Sequence, residues 1–249
     1  MKLSNQVAVV TGAGRNIGEE ISKTLAAEGA KVAVLDLDKG RGEKVVAEIL
    51  KAGGEAAAFI ANVAIEDDIA RLVAAVVERW GRIDILINNA AISDNKNILD
   101  ITKEQWDAVI AVTLTGPFLM SQHAARRMVA QGSGGKIVNV GSTSGFFGRS
   151  RAVAYAAAKG GIANLTRAMA VQLAPYKIRV NGVVPNKIGS PVGKDEFDPT
   201  RPVVNLRNRP GVPRDMAHAI LFLVSDDSDF IAGSMLFVDG GLSALMAGD

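Results

Sequence analysis

A chain of 249 residues, 48% hydrophobic and 22% charged, suits one large α/β domain and is too apolar to be disordered. A formal charge of +2 without blocks of like charge argues against nucleic-acid binding, which needs a concentrated basic face. The lack of cysteine excludes disulfides, zinc–thiolate sites and iron–sulfur clusters. No signal-peptide pattern and no apolar run of roughly 20 residues is found, so a cytoplasmic protein without a membrane partner is expected.

Val7–Val10 is the first predicted strand. Thr11-Gly-Ala-Gly-Arg-Asn-Ile-Gly18 follows it and opens the first predicted helix, Gly18–Glu28. Glycines there let the backbone approach a pyrophosphate, and the helix N-terminus offers free N–H groups and a positive dipole end. Gly12, Arg15, Asn16, Ile17 and Gly18 are therefore candidate nucleotide contacts. The second strand, Lys31–Leu35, runs into Asp36, eighteen residues after Gly18. A carboxylate there accepts hydrogen bonds from both ribose hydroxyls of NAD and repels the 2′-phosphate of NADP. Arg15 pulls the other way if it faces that phosphate, and is a plain surface charge if it faces solvent. NAD is expected in preference to NADP.

Helix Arg41–Ala52, strand Ala56–Ile60, helix Asp67–Trp80 and strand Ile83–Ile87 come next. One long helix, Lys103–Ala130, leads to strand Lys136–Val140. Helix Tyr155–Leu173, strand Ile178–Val183, helix Arg214–Val224 and strand Ser234–Val238 complete the alternation. The pattern predicts a Rossmann-type doubly wound parallel sheet of about seven strands with helices on both faces, as a single dinucleotide-binding and catalytic domain over 1–249. The segment 186–213 is polar, carries five of the eight prolines and leaves the carboxyl edge of the sixth strand. It is expected to be a substrate lid.

Ser142 lies thirteen residues before Tyr155, and Lys159 four after it. On a helix, Tyr155 and Lys159 share one face. A lysine ammonium beside a phenol stabilises the phenolate and brings its pKa toward the working range. Ser142 can hydrogen-bond a substrate oxygen and orient it toward the tyrosine. Phe146, Phe147, Arg149 and Arg151 lie between Ser142 and Tyr155 and should border the substrate. Arg149, Arg151 and the lid cations suggest an anionic or polar oxygenated substrate, the alternative being solvated loop charges. His123 and His218 lack ligand-spaced partners, so no metal is expected. Trp80 and Trp106 are read as packing residues.

These motifs make the whole chain resemble the classical short-chain dehydrogenase/reductase family. Thr11–Gly18 resembles its TGxxxGxG turn, and Asn88-Asn89-Ala90-Ala91 its NNAG motif under the adenine ring. Ser142, Tyr155 and Lys159 match its triad, and Asp239-Gly240-Gly241 a typical closing motif. The resemblance implies that Asn62 and Val63 touch adenine, that Pro185 begins the turn beside the nicotinamide, and that Ile188 and Ser190 hold the carboxamide. It also implies that Lys159 binds the nicotinamide ribose, that hydride moves without a metal, and that the protein is a homotetramer. Four positions depart from the pattern, and the first, Ala91 in place of the glycine that ends the NNAG motif, is benign. Asn16 and Asn186 stand where the family has glycine, and asparagine tolerates left-handed backbone. Thr113 replaces the family's catalytic asparagine, which helps hold a water in the proton relay.

The expected function is an NAD-dependent oxidoreductase acting on a secondary alcohol or ketone: a small hydroxy acid, sugar-like or other polar molecule. One alternative is an NADPH-dependent 3-oxoacyl-thioester reductase, with Arg15 and the basic lid serving a phosphopantetheine carrier. Another is an NAD(H)-binding regulator with weak turnover.

Overall fold

The computed structural model describes residues 1–192 and 194–245; Gly193, inside the predicted lid, and residues 246–249 lie outside the described residues. The strands are β1 (Val7–Thr11), β2 (Lys31–Asp36), β3 (Glu55–Ile60), β4 (Ile85–Asn88), β5 (Gly135–Val140), β6 (Ile178–Pro185) and β7 (Met235–Val238). The helices are α1 (Asn16–Ala27), α2 (Lys39–Lys51), α3 (Glu66–Trp80), α4 (Lys103–Ile110), α5 (Gly116–Gln131), α6 (Val153–Leu173) and α7 (Pro213–Val224). The strands form one parallel sheet in the order β3-β2-β1-β4-β5-β6-β7. This is the doubly wound Rossmann architecture that the sequence predicts.

β1 and β4 are buried at every position because helices cover both faces. Ala8, Val10, Val32 and Val34 pack with α1, α2 and α7 on one face, through Ile21, Leu25, Val45 and Ile220. Val7, Val9 and Leu86 pack on the other face with α3, α5 and α6, through Ile69, Val76, Met120 and Met169. The chain leaves β1 toward the first face and β4 toward the second, which opens a crevice at their carboxyl ends.

Helix ends follow local chemistry. Asp38 accepts the Arg41 N–H at 3.0 Å and starts α2. Thr102 and Gln105 form a capping box on α4. Gly81 and Gly132, at φ +77° and +70°, close α3 and α5.

The long helix predicted over Lys103–Ala130 is divided. Between α4 and α5, Ala111–Thr115 forms a π-helical turn in which the Gly116 N–H donates to the Ala111 carbonyl. Pro117 explains it: it has no N–H to offer the Thr113 carbonyl four residues back, so the ladder slips by one residue. Asn186–Val212 contains no helix or strand among the described residues, apart from an isolated bridge between Ile188 and Gly211. Pro213, the last residue of the predicted lid, is the first residue of α7. No described helix is long and apolar enough to cross a membrane.

Candidate active site

A cleft of about 1530 Å³ opens at the carboxyl ends of β1, β4, β5 and β6. Its nucleotide end is built from the β1–α1 turn. Gly12 has φ +61°, and Asn16 has φ +51°, the left-handed conformation for which asparagine suits that position. A Cβ at Gly18 would lie 2.1 Å from the Gly12 carbonyl oxygen, so only glycine lets α1 approach the turn. No side chain caps α1, so its first N–H groups face the cleft unpartnered by a cap. That cradle fits a phosphate.

Neighbouring hydrogen bonds hold the turn rigid. The Thr11 hydroxyl accepts the N–H groups of Asn89 and Ala90, each at 3.0 Å, and the Asn89 amide donates to the Thr11 and Gly12 carbonyls, each at 2.9 Å. The Asp36 carboxylate accepts the Gly14 N–H at 2.8 Å and the Asp38 N–H at 3.0 Å, leaving lone pairs toward the cleft it lines. Asn62, Val63, Ala90 and Ala91 also line the cleft. Asn88 lies beneath it instead, donating to Asn139 at 2.8 Å and Ser121 at 2.9 Å.

Ser142, Tyr155 and Lys159 meet at the other end of the same cleft. Ser142 follows β5, and its Oγ accepts the Ser144 N–H at 3.1 Å. Tyr155 and Lys159 sit one turn apart near the start of α6, with the Lys159 ammonium 5.6 Å from the Tyr155 ring centre. Trp106 packs on the small cluster that contains Tyr155. Gly145 touches α6 so closely that a Cβ would meet the Lys159 carbonyl oxygen at 2.5 Å. That contact fixes the spacing between the Ser142 loop and the helix.

Electrostatics in the cleft differ from the sequence expectation. Burial pushes the Tyr155 phenol above its ordinary value, while the facing Ser142 hydroxyl and the Arg149 guanidinium pull it down. Lys159 is 2% exposed, and burial lowers its ammonium to about 7. Its Nζ donates to the Val140 carbonyl at 2.5 Å. The lysine therefore changes charge near neutral pH, and the phenol is not activated by the protein's own charges alone. A phenol, a hydroxyl and an ammonium so placed can pass a proton to or from a carbonyl oxygen.

Other predicted residues divide. Arg149 lines the cleft, donates to Ser144 Oγ at 3.0 Å and has its guanidinium 6.0 Å from the Tyr155 ring centre. Arg151 is exposed and does not line the cleft. Thr113 is fully buried and spends its hydroxyl on Ile92, accepting its N–H at 3.1 Å and donating to its carbonyl at 3.0 Å. Its side chain does not line the cleft. Asn186 is not in the left-handed region; Lys187 and Gly189 are, at φ +47° and +59°. The Asn186 amide instead donates to Thr143 Oγ1 at 2.7 Å. His123 lies 3.3 Å from Glu66, and His218 accepts from Arg214 at 3.4 Å. Trp80 stacks edge-on against Phe59.

Two contributions escape a sequence reading. Asp94 accepts the Tyr155 N–H at 3.2 Å, holding the start of α6 from 61 residues away. The segment 186–213 is tied to the nucleotide turn. Asn16 donates to Ser190 Oγ at 2.7 Å, Asp195 forms ion pairs with Arg15 and with Arg41, the latter at 2.9 Å, and Pro185, Ile188 and Ser190 line the cleft. Only the excess of charge in 186–213 hinted at such pairing.

Comparison with known proteins agrees with this architecture. Residues 12–243 match the protein family described as Enoyl-(Acyl carrier protein) reductase. A 3-oxoacyl-(acyl-carrier-protein) reductase of Thermotoga maritima is 37% identical, over 97% of this chain and 99% of that one. The 2-(S)-hydroxypropyl-CoM dehydrogenase 3 of Xanthobacter autotrophicus is also 37% identical, over 98% of this chain and 99% of its own length. The crystal structure of a short-chain type dehydrogenase/reductase from Mycobacterium marinum superposes with a TM-score of 0.90 at 31% identity, covering 98% of this chain and 97% of that one. With the parallel sheet and the glycine cradle at its switch point, these matches show that the chain belongs to the short-chain dehydrogenase/reductase family, oxidoreductases that work with a nicotinamide dinucleotide.

Proposed function

We propose that this oxidoreductase is NAD-dependent and interconverts a polar secondary alcohol and its ketone, with Ser142, Tyr155 and Lys159 handling the proton. The observation that carries the reading is the convergence of those three side chains on the cleft that the Gly12–Gly18 cradle and Asp36 also line. When bound, the nicotinamide dinucleotide supplies or accepts the hydride.

The chain's own residues do the rest. The α1 N-terminus and the Gly12–Gly18 backbone hold the pyrophosphate, and Asp36 accepts the ribose hydroxyls. Asn62, Val63, Asn89 and Ala90 wall the adenine, while Pro185, Ile188 and Ser190 border the nicotinamide end. Ser142 Oγ orients the substrate oxygen, and Tyr155 Oη exchanges the proton with it. Lys159 Nζ, titrating near neutrality, holds the proton supply behind the phenol and is placed to bind the ribose beside it. Thr113 has a supporting role, fixing the π-turn to the Ile92 loop. This reading takes 1–249 as one catalytic domain with a lid at 186–213.

The substrate class follows from charge. Arg149, Lys187, Lys194 and Arg201 line the cleft, and Nε and Nη2 of Arg201 are buried without a hydrogen-bond partner among the described residues. A carboxylate- or otherwise anion-bearing hydroxy compound suits them. A homotetramer is proposed as well, because Phe118, Val171 and Phe237 leave apolar surface exposed on α5, α6 and β7; light scattering that gives a single chain's mass would remove it. The competing NADPH-dependent 3-oxoacyl-thioester reductase draws on the Thermotoga relative, and Asp36 opposes it.

The test offers NAD⁺ and, separately, NADP⁺ with a panel of secondary alcohols, hydroxy acids and polyols, and follows reduced-nicotinamide absorbance. Reduction of NAD⁺ that Tyr155→Phe abolishes is expected. Preference for NADP⁺, or an Asp36→Ala variant that gains no NADP⁺ activity, counts against the cofactor assignment. Cofactor binding with no turnover across the panel turns the reading toward a nucleotide-binding regulator.

A further inference from the structure

Arg15 follows Gly14 in the nucleotide turn, and Arg41 lies in the first turn of α2. The two approach the same place. A Cβ on Gly14 would lie 2.7 Å from both the Arg41 Cβ and the Asp36 carboxylate, so all three surround one short stretch of backbone. Both arginines line the cleft beside Asp36 and Asp38. Paired guanidiniums of this kind make a seat for a phosphate, since each offers parallel N–H donors to its oxygens. The adenosine ribose of a dinucleotide meets the carboxylate that ends the second strand, so the seat lies where a 2′-phosphate would project.

The seat is filled from the lid. One oxygen of Asp195 pairs with Arg15 and the other accepts from Arg41 Nη2 at 2.9 Å. Asp38 adds a carboxylate 3.7 Å from Arg41. With Asp195 seated, three carboxylates (Asp36, Asp38 and Asp195) face two guanidiniums. One Nη of each guanidinium is taken by Asp195, so a phosphate arriving between the two must displace that carboxylate.

We propose that Asp195 is a cofactor-discriminating residue: a lid carboxylate that occupies the Arg15–Arg41 anion seat, so that a dinucleotide with free ribose hydroxyls fits under the closed lid and a 2′-phosphorylated one must displace it. This rests on the NAD reading of Asp36 and adds a second element to it. Asp36 acts on the ribose directly, whereas Asp195 acts by holding the two cations that would otherwise reward a phosphate. Asp195 side chain is 61% exposed, so solvent screens the pairs and the effect is modest beside that of Asp36.

Calorimetric binding of 5′-AMP and 2′,5′-ADP tests it without turnover, in wild type, Asp36→Ala, Asp195→Asn and the double variant. Adding Asp195→Asn to Asp36→Ala should tighten 2′,5′-ADP by about fivefold to tenfold while 5′-AMP changes by less than about twofold. Placing Arg41→Ala on the double variant should remove the gain. A double variant that binds 2′,5′-ADP no tighter than Asp36→Ala overturns the proposal, as does a parallel change in 5′-AMP. Failure of the NAD reading is seen separately, as wild type binding 2′,5′-ADP more tightly than 5′-AMP.

Discussion

The floor of the cleft and the segment 186–213 are held in opposite ways. Ser142, Tyr155 and Lys159 are each less than 9% exposed and stand on a strand end and a helix whose positions the core dictates. Asn186–Val212 has no helix or strand among its described residues beyond one isolated bridge, and charged or amide side chains fasten it: Asn16 to Ser190, and Arg15 and Arg41 to Asp195. The difference teaches where precision and adaptability lie. In the proposed reading, the groups that react need positions that packing enforces, while a segment that admits a dinucleotide is better held by pairs that solvent already weakens.

The largest effect should come from the floor. Tyr155→Phe should lower kcat/KM by about 10²- to 10⁴-fold, with a thermal midpoint close to wild type, since only the proton-bearing oxygen is lost. A large drop in midpoint would make Tyr155 a packing residue instead. Gly18→Ala comes next. Its Cβ would meet a backbone oxygen at 2.1 Å, which a side-chain rotation cannot relieve. A loss of about 1–3 kcal/mol in urea unfolding is expected, together with weaker 5′-AMP binding.

Lys159 allows a pH test of the floor. Its folded value of about 7 lies below the ordinary 10.5, so between these limits the unfolded chain binds more protons than the folded one. Stability of the cofactor-free protein should therefore rise from about pH 7 toward pH 10, with the burial penalty fully present below 7. Lys159→Met should flatten that rise in urea midpoints and stabilise the protein most at the acid end; parallel pH curves would contradict the assignment. The smallest effect belongs to the cleft's rim. Arg149→Ala should raise KM by about threefold to tenfold for carboxylate-bearing substrates and leave neutral alcohols nearly unchanged, with a smaller change for Arg151→Ala, whose side chain lies off the cleft. Equal effects on charged and neutral substrates would break the contrast between rim and floor.

Each predicted strand is present, within two residues at either end, because buried parallel strands carry continuous apolar runs readable one segment at a time. The turn, the acidic end of β2 and the Ser142–Tyr155–Lys159 spacing were legible for the same reason. The break at Ala111–Thr115 was also in reach, since Pro117 cannot serve the Thr113 carbonyl. The left-handed residue after Pro185 was misplaced onto Asn186, because which residue of a loop turns left depends on the bridge between Ile188 and Gly211.

The sequence by itself determined the doubly wound architecture, the glycine-rich turn after β1 and the grouping of Ser142, Tyr155 and Lys159, since all of these rest on local periodicity or on spacing within one element and its neighbour. The tertiary structure decided the rest. Thr113 spends its hydroxyl on Ile92, Asp94 steadies Tyr155, and Asp195 reaches back 180 residues to Arg15. It also decided that burial lifts Tyr155 and lowers Lys159, because desolvation depends on what the fold packs around a group and not on the residues beside it in the chain.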